Sequence, residues 1–157
     1  MSEKKEEKRI ISLLNEARGY HNYLCDEQEA IKICDHILKN DPKNRDALLI
    51  KAGSQSEINK EKESFQLITK IIWEWPNHWE AYYLMGLLLF NINEEKAMAN
   101  LIKSIKLNNN FNNVIATAQL LYFLEEIRYK VYLKEAKRLA PKRYKEYMKN
   151  YWEWEII

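Results

Sequence analysis

The side chains best suited to chemistry in this 157-residue chain are few and scattered. His21 and Cys25 stand four apart, a spacing that puts both on one helical face and is compatible with a pair of metal ligands. Two ligands do not close a zinc site, which takes about four. The other histidines, His36 and His78, fall in separate stretches. The expectation is a solvated histidine beside a packed cysteine, with no metal and no cofactor. Cys25 and Cys34, nine apart and outside any CxxC, read as reduced thiols. The acidic pairs Glu94–Glu95 and Glu125–Glu126 sit in first turns of helical stretches, where carboxylates favour the helix dipole. No phosphate-binding glycine loop, HExxH or nucleophile elbow is present. The chain is therefore read as non-enzymatic.

Charge offers a second chemistry. The net charge is +2, but residues 125–150 alone carry +5. Arg128, Lys130, Lys134, Lys137, Arg138, Lys142, Arg143, Lys145 and Lys149 alternate there with Tyr129, Tyr132, Tyr144 and Tyr151. Cations can neutralise phosphates while an aromatic ring stacks on a base, so nucleic acid or an acidic partner is one reading. The other is a solvated helix surface with its tyrosines turned inward.

The elements that must position these groups are helical. Only three Gly and three Pro interrupt long Leu/Lys/Glu/Ile stretches, which favours an all-α protein. The most apolar segment, residues 81–90, is about half the length needed to span a bilayer. The start, MSEKKEEKR, lacks the apolar run of a secretory signal, so a cytoplasmic protein is expected. Periodicity predicts helices at about 7–23, 27–40, 44–57, 61–75, 78–91, 94–107, 111–124, 126–139 and 142–153. Asp26 with Glu29 and Asn77 with Glu80 have capping-box spacing, and Asn59 and Asn93 are expected N-caps.

These helices repeat. Gly19, Gly53 and Gly86 are spaced by 34 and 33, and Pro42 and Pro76 by 34. Gly19 to Pro42, Gly53 to Pro76, Gly86 to Asn109 and Ala118 to Pro141 each span 23 residues. Twelve before each stop stand Ala30, Ser64, Ala97 and, as the exception, Tyr129. Eight before come Cys34, Ile68, Leu101 and Leu133; five before come Ile37, Ile71, Ser104 and Ala136. A small residue on each helix of a hairpin lets the two approach closely. Such a hairpin cannot bury its apolar stripe alone, so about three or more must stack.

The pattern resembles the tetratricopeptide repeat, a 34-residue helix–turn–helix. The match is best at Tyr82, Met85, Gly86, Leu89, Ala97 and Leu101, and residues 23–42 resemble a second helix with its exit. Each Gly-to-Pro span is one residue shorter than usual for that family, and Ala17 competes with Gly19 for the small position of the first repeat. The resemblance implies a right-handed α-solenoid of stacked antiparallel helix pairs. Residues 10–141 would form four repeats, after a charged extension at 1–9 and before a capping helix and aromatic tail at 142–157.

It also implies a concave groove lined by first helices. The positions resembling groove positions are Tyr83, Leu87, Phe90, Ile115, Gln119, Tyr122 and Phe123, with Ile50, Ser54 and Glu57 in the second repeat. Tyr and Phe give large contact area at small entropic loss, so the expected partner is a segment of another protein. Recognition of a terminal carboxylate is disfavoured, because the corresponding places hold Ile50, Lys51, Ser54, Glu80 and Leu84. A secretion-type chaperone is a further reading. Self-association through Trp152, Trp154, Ile156 and Ile157 is another.

Overall fold

The computed structural model describes residues 3–124, 126 and 128–151. Among them every regular element is helical: α1 (Glu3–Gly19), α2 (Glu27–Asn40), α3 (Arg45–Glu57), α4 (Glu61–Glu74), α5 (Trp79–Leu89), α6 (Glu94–Leu107), α7 (Phe111–Phe123), α8 (Tyr129–Leu139) and α9 (Pro141–Tyr151). A π-helical turn, Tyr20–Leu24, follows α1. The chain divides into two compact units, Met1–Asn77 with α1–α4 and His78–Ile157 with α5–α9. Inside each unit every helix packs on the next in sequence. The boundary falls between the second and third repeats.

Helix starts are set by side chains that take up otherwise orphaned backbone N–H groups. Asp26, Asn44, Asn93 and Asn110 accept from the N–H groups of Glu29, Ala47, Lys96 and Asn113, each contributing about 1 kcal/mol. Three expected caps differ. Asn59 is not the cap of α4 but sits in the left-handed region at φ 59°, which Asn tolerates better than most residues. The cap of α5 is His78, whose side chain makes no capping hydrogen bond, rather than Asn77. Glu29 does not close a capping box; its carboxylate accepts from Lys32 instead. The charged stretch at residues 3–9 forms the first turns of α1, since Glu and Lys are good helix formers.

The three repeating columns describe the packing. Ala30, Ser64 and Ala97, then Cys34, Ile68, Leu101 and Leu133, then Ile37, Ile71, Ser104 and Ala136 are all buried. In the first unit Leu14, Ala17, Ile33, Cys34, Ile37, Ala47 and Ile50 form one cluster. Ala17 is buried there, whereas a Cβ on Gly19 would meet nothing within 4 Å. The small packing position of the first repeat is therefore Ala17. Two serine hydroxyls bind one helix of a hairpin to the other: Ser64 donates to the Ala52 carbonyl at 2.8 Å, and Ser104 to the Trp79 carbonyl at 3.0 Å.

In the second unit Phe111, Val114, Ile115, Ala118, Leu133 and Ala136 form the cluster that α9 covers with Tyr144, Tyr147 and Met148. Pro141 is the first residue of α9, a position where the missing N–H has no helical acceptor anyway. Tyr147 meets the Phe111 ring edge-on at a centroid distance of 6.4 Å. The tail residues Trp152, Trp154, Ile156 and Ile157 lie outside the described residues.

Gly86 marks the tightest approach. A Cβ there would fall 2.7 Å from both Cγ and Cδ2 of Leu101, which is itself fully buried. Gly86→Ala is expected to destabilise by about 1–2 kcal/mol, overpacking outweighing the gain in helix propensity. Gly19→Ala, in open space with helical φ, should instead stabilise by about 0.5–1 kcal/mol. Urea denaturation of the two variants checks the opposite signs.

Candidate interaction surface

Tyr83 and Leu87 of α5 and Phe90 at its C-cap follow one another at helical spacing, and Ile115, Gln119 and Tyr122 do so along α7. The opposite face of α5, with Ala81, Met85, Gly86, Leu88 and Leu89, is buried, so the first stripe turns outward. Leu87 is 40% exposed, Tyr122 41% and Phe123 62%. Phe90, just past the end of α5, and Phe123, at the end of α7, meet at 5.9 Å between ring centroids. Tyr83 is half-buried beside Trp79, and burial pushes its phenol pKa up. Gln119 is exposed.

Ile115 is not part of this exposed set. It is buried in the α7–α8 core with Leu133 and Ala136 of α8. Ile50 and Ser54 are likewise buried, and Glu57 is exposed. Lys51 is taken up by an ion pair with Asp35.

The cationic stretch has the opposite character to a stacking platform. Tyr129, Tyr132 and Tyr144 pack against the core cluster, and Tyr129 also meets Tyr122 edge-on at 5.2 Å. Arg128 bonds Glu126 at 3.2 Å. Arg138 holds Glu135 by two bonds of 2.7 and 2.8 Å, and with Asn109 it draws that carboxyl down to about 2. Arg143 lies over the Phe111 ring at 4.5 Å and bonds Asn112. Lys130, Lys134, Lys137 and Lys142 are exposed.

His21 has partners that the sequence does not announce. Its Nδ1 lies 2.7 Å from Oε2 of Glu27 and 3.2 Å from the Ser54 hydroxyl. The three residue types match a proton relay, but the arrangement does not. A relay needs the acid and the hydroxyl on opposite ring nitrogens, and here both approach one. Ser54 is also fully buried. The trio fastens the π-helical turn to α2 and α3. Cys25, expected to pack beside His21, is exposed in a left-handed backbone conformation, while Cys34 is the buried thiol. Among the described residues no group of three or more His, Cys, Asp or Glu is placed to hold a metal ion. No described helix is long and apolar enough to cross a membrane.

The helix-pair architecture with small residues at hairpin contacts defines a tetratricopeptide-type fold. Solved structures agree. The thermophilic TPR protein TTC0263 of Thermus thermophilus matches with a TM-score of 0.75 at 16% identity, over 84% of this chain and 75% of that one. A MamA fragment from Desulfovibrio magneticus RS-1 matches with a TM-score of 0.67 at 19% identity, over 85% and 77%. A MamA RS-1 double mutant gives 0.66 at 19%, over 89% and 80%. No protein-family model and no curated protein matches the sequence.

The two thiols make a direct check of this geometry. Burial is the main force pushing Cys34 up to about 12. In the folded protein a thiol-specific reagent at pH 8 should modify Cys25 rapidly and Cys34 only after unfolding. The unfolded Cys34 thiol ionises first as pH rises, so its contribution to stability is present below pH 9.0 and is lost on the way to about 12. Equal labelling rates for the two cysteines would contradict the burial of Cys34.

Proposed function

We propose that this chain is a non-enzymatic interaction module, an adaptor or chaperone-like scaffold, that holds a segment of another protein against the α5–α7 surface. The observation that carries the reading is the exposure of Leu87, Tyr122 and Phe123 around the half-buried Phe90. Large apolar side chains left together at a surface favour a partner that removes them from water. The residues that would make the contact are Tyr83, Leu87, Phe90, Gln119, Tyr122 and Phe123. The aromatic and aliphatic character favours an apolar or mixed segment over a charged terminus. A cytoplasmic setting belongs to this reading and rests on two cysteines without a paired framework.

Binding of an acidic partner or nucleic acid along α8 and α9 has less support, because Tyr129, Tyr132 and Tyr144 pack against the core cluster.

Affinity capture from the source cell tests the proposal, comparing wild type with Leu87→Ala plus Tyr122→Ala. Both side chains are exposed, so the variant should keep its helical circular-dichroism spectrum. Loss of affinity by about tenfold or more for at least one captured partner is expected. Retention of every partner at wild-type affinity by the folded variant would remove the assignment.

A further inference from the structure

Packing of the first unit leaves two complementary features over. One is a stripe on α4. Phe65, Thr69 and Trp73 recur at intervals of four and share a face. Phe65 is 44% exposed and Trp73 86%. The buried side chains Ser64, Ile68 and Ile71 hold the opposite side of the helix. An indole so exposed leaves most of a surface of about 150–250 Å² in water. Lys70 and Glu74 flank it on one side, and neither is ion-paired with another described residue.

The other feature is a slot of about 590 Å³ between α1 and the start of α3, with Ile10, Ile11 and Leu14 in its lining. Ile11 is 52% exposed. The α1 side of the rim carries Glu6 and Glu7, and the α3 side carries Lys43. Other charges there are engaged, Asp46 with Arg18 and Arg45, and Asp41 with the Asn44 amide. Glu6 is not. Its Oε1 lies 3.9 Å from Arg9, and its Oε2 is buried without a hydrogen-bond partner. A carboxylate held so loosely gains by turning towards an arriving donor.

Stripe and slot match in register and in sign. Lys70 precedes Trp73 by three residues, and Glu7 precedes Ile10 by three, about 4.5 Å along either helix axis. We infer that the two are halves of one contact between copies of this chain, in which Trp73 of one copy enters the slot of the next. The indole covers Ile10 and Ile11, Lys70 meets Glu6 and Glu7, and Glu74 turns to the side of Lys43. Apolar burial supplies affinity, and the paired charges supply orientation. The two halves lie on different helices, so the contact is heterologous and each copy keeps one half free for another. No residue of the α5–α7 surface takes part.

Sedimentation velocity on the full chain tests this. Wild type should associate with a Kd on the order of 10–100 µM, as suits a small contact, and more weakly at high salt. Trp73→Ala and Ile11→Arg each alter an exposed side chain and should keep the helical circular-dichroism spectrum. Each alone should associate about tenfold or more weakly than wild type. Mixed, they should form a heterodimer that grows no further, because one retains the stripe and the other the slot. Lys70→Glu should also weaken association, and adding Glu7→Lys to the same chain should recover it in part. A constant monomer mass up to about 500 µM would overturn the inference. So would association that survives Trp73→Ala, as contact through residues 152–157 would, or a mixture that stays monomeric. If Ile11→Arg does not fold, the charge swap decides, and a swap without recovery counts against the contact.

Discussion

Close approach of the two helices in each hairpin is the constraint on which the rest depends. An α-helix hides its own backbone but exposes a stripe, and two stripes meet well only where small side chains let the axes draw near. In the third pair this contact is Gly86 against Leu101, with no room for a single added carbon. In the second pair Ser64, at the position Ala97 holds in the third, is buried and donates a hydrogen bond to the Ala52 carbonyl. Where the small residue gives way to Tyr129, the ring packs against the core cluster and meets Tyr122 edge-on.

That constraint also governs what is left outside. A helix in a tight hairpin has one face committed to its partner and others that are not. On α5 the committed face carries Met85, Gly86 and Leu89, so Leu87 must point elsewhere. On α7 the enclosed residues run Val114 to Ala118 with Leu120 and Leu121, and this leaves Gln119, Tyr122 and Phe123 at the surface. The apolar surface of the second unit therefore follows from hairpin geometry rather than from any special motif.

The reactive residue types are absorbed by the same packing. His21 becomes a clasp for the π-helical turn, held by Glu27 and Ser54. Cys34 becomes a core residue, its thiol kept protonated by burial. Glu135 becomes a hydrogen-bond acceptor for Arg138 and Asn109. Each is satisfied by neighbours that hold it in place.

The sequence by itself determined the helices, their periodicity and the columns of small and apolar residues, because these are local properties repeated at fixed spacing. Asn93 and Asp26 were readable as caps for the same reason: a cap acts within three residues of itself. Tertiary structure decided the rest. Ile115 and Tyr122 share one helical stripe, yet one is core and the other surface, since the neighbouring helix covers only part of α7. Whether Ala17 or Gly19 packs, and which residues His21 meets, depended on contacts between segments far apart in the chain. Spacing along a helix fixes which side chains share a face; only the placement of the next helix decides which faces stay exposed to water.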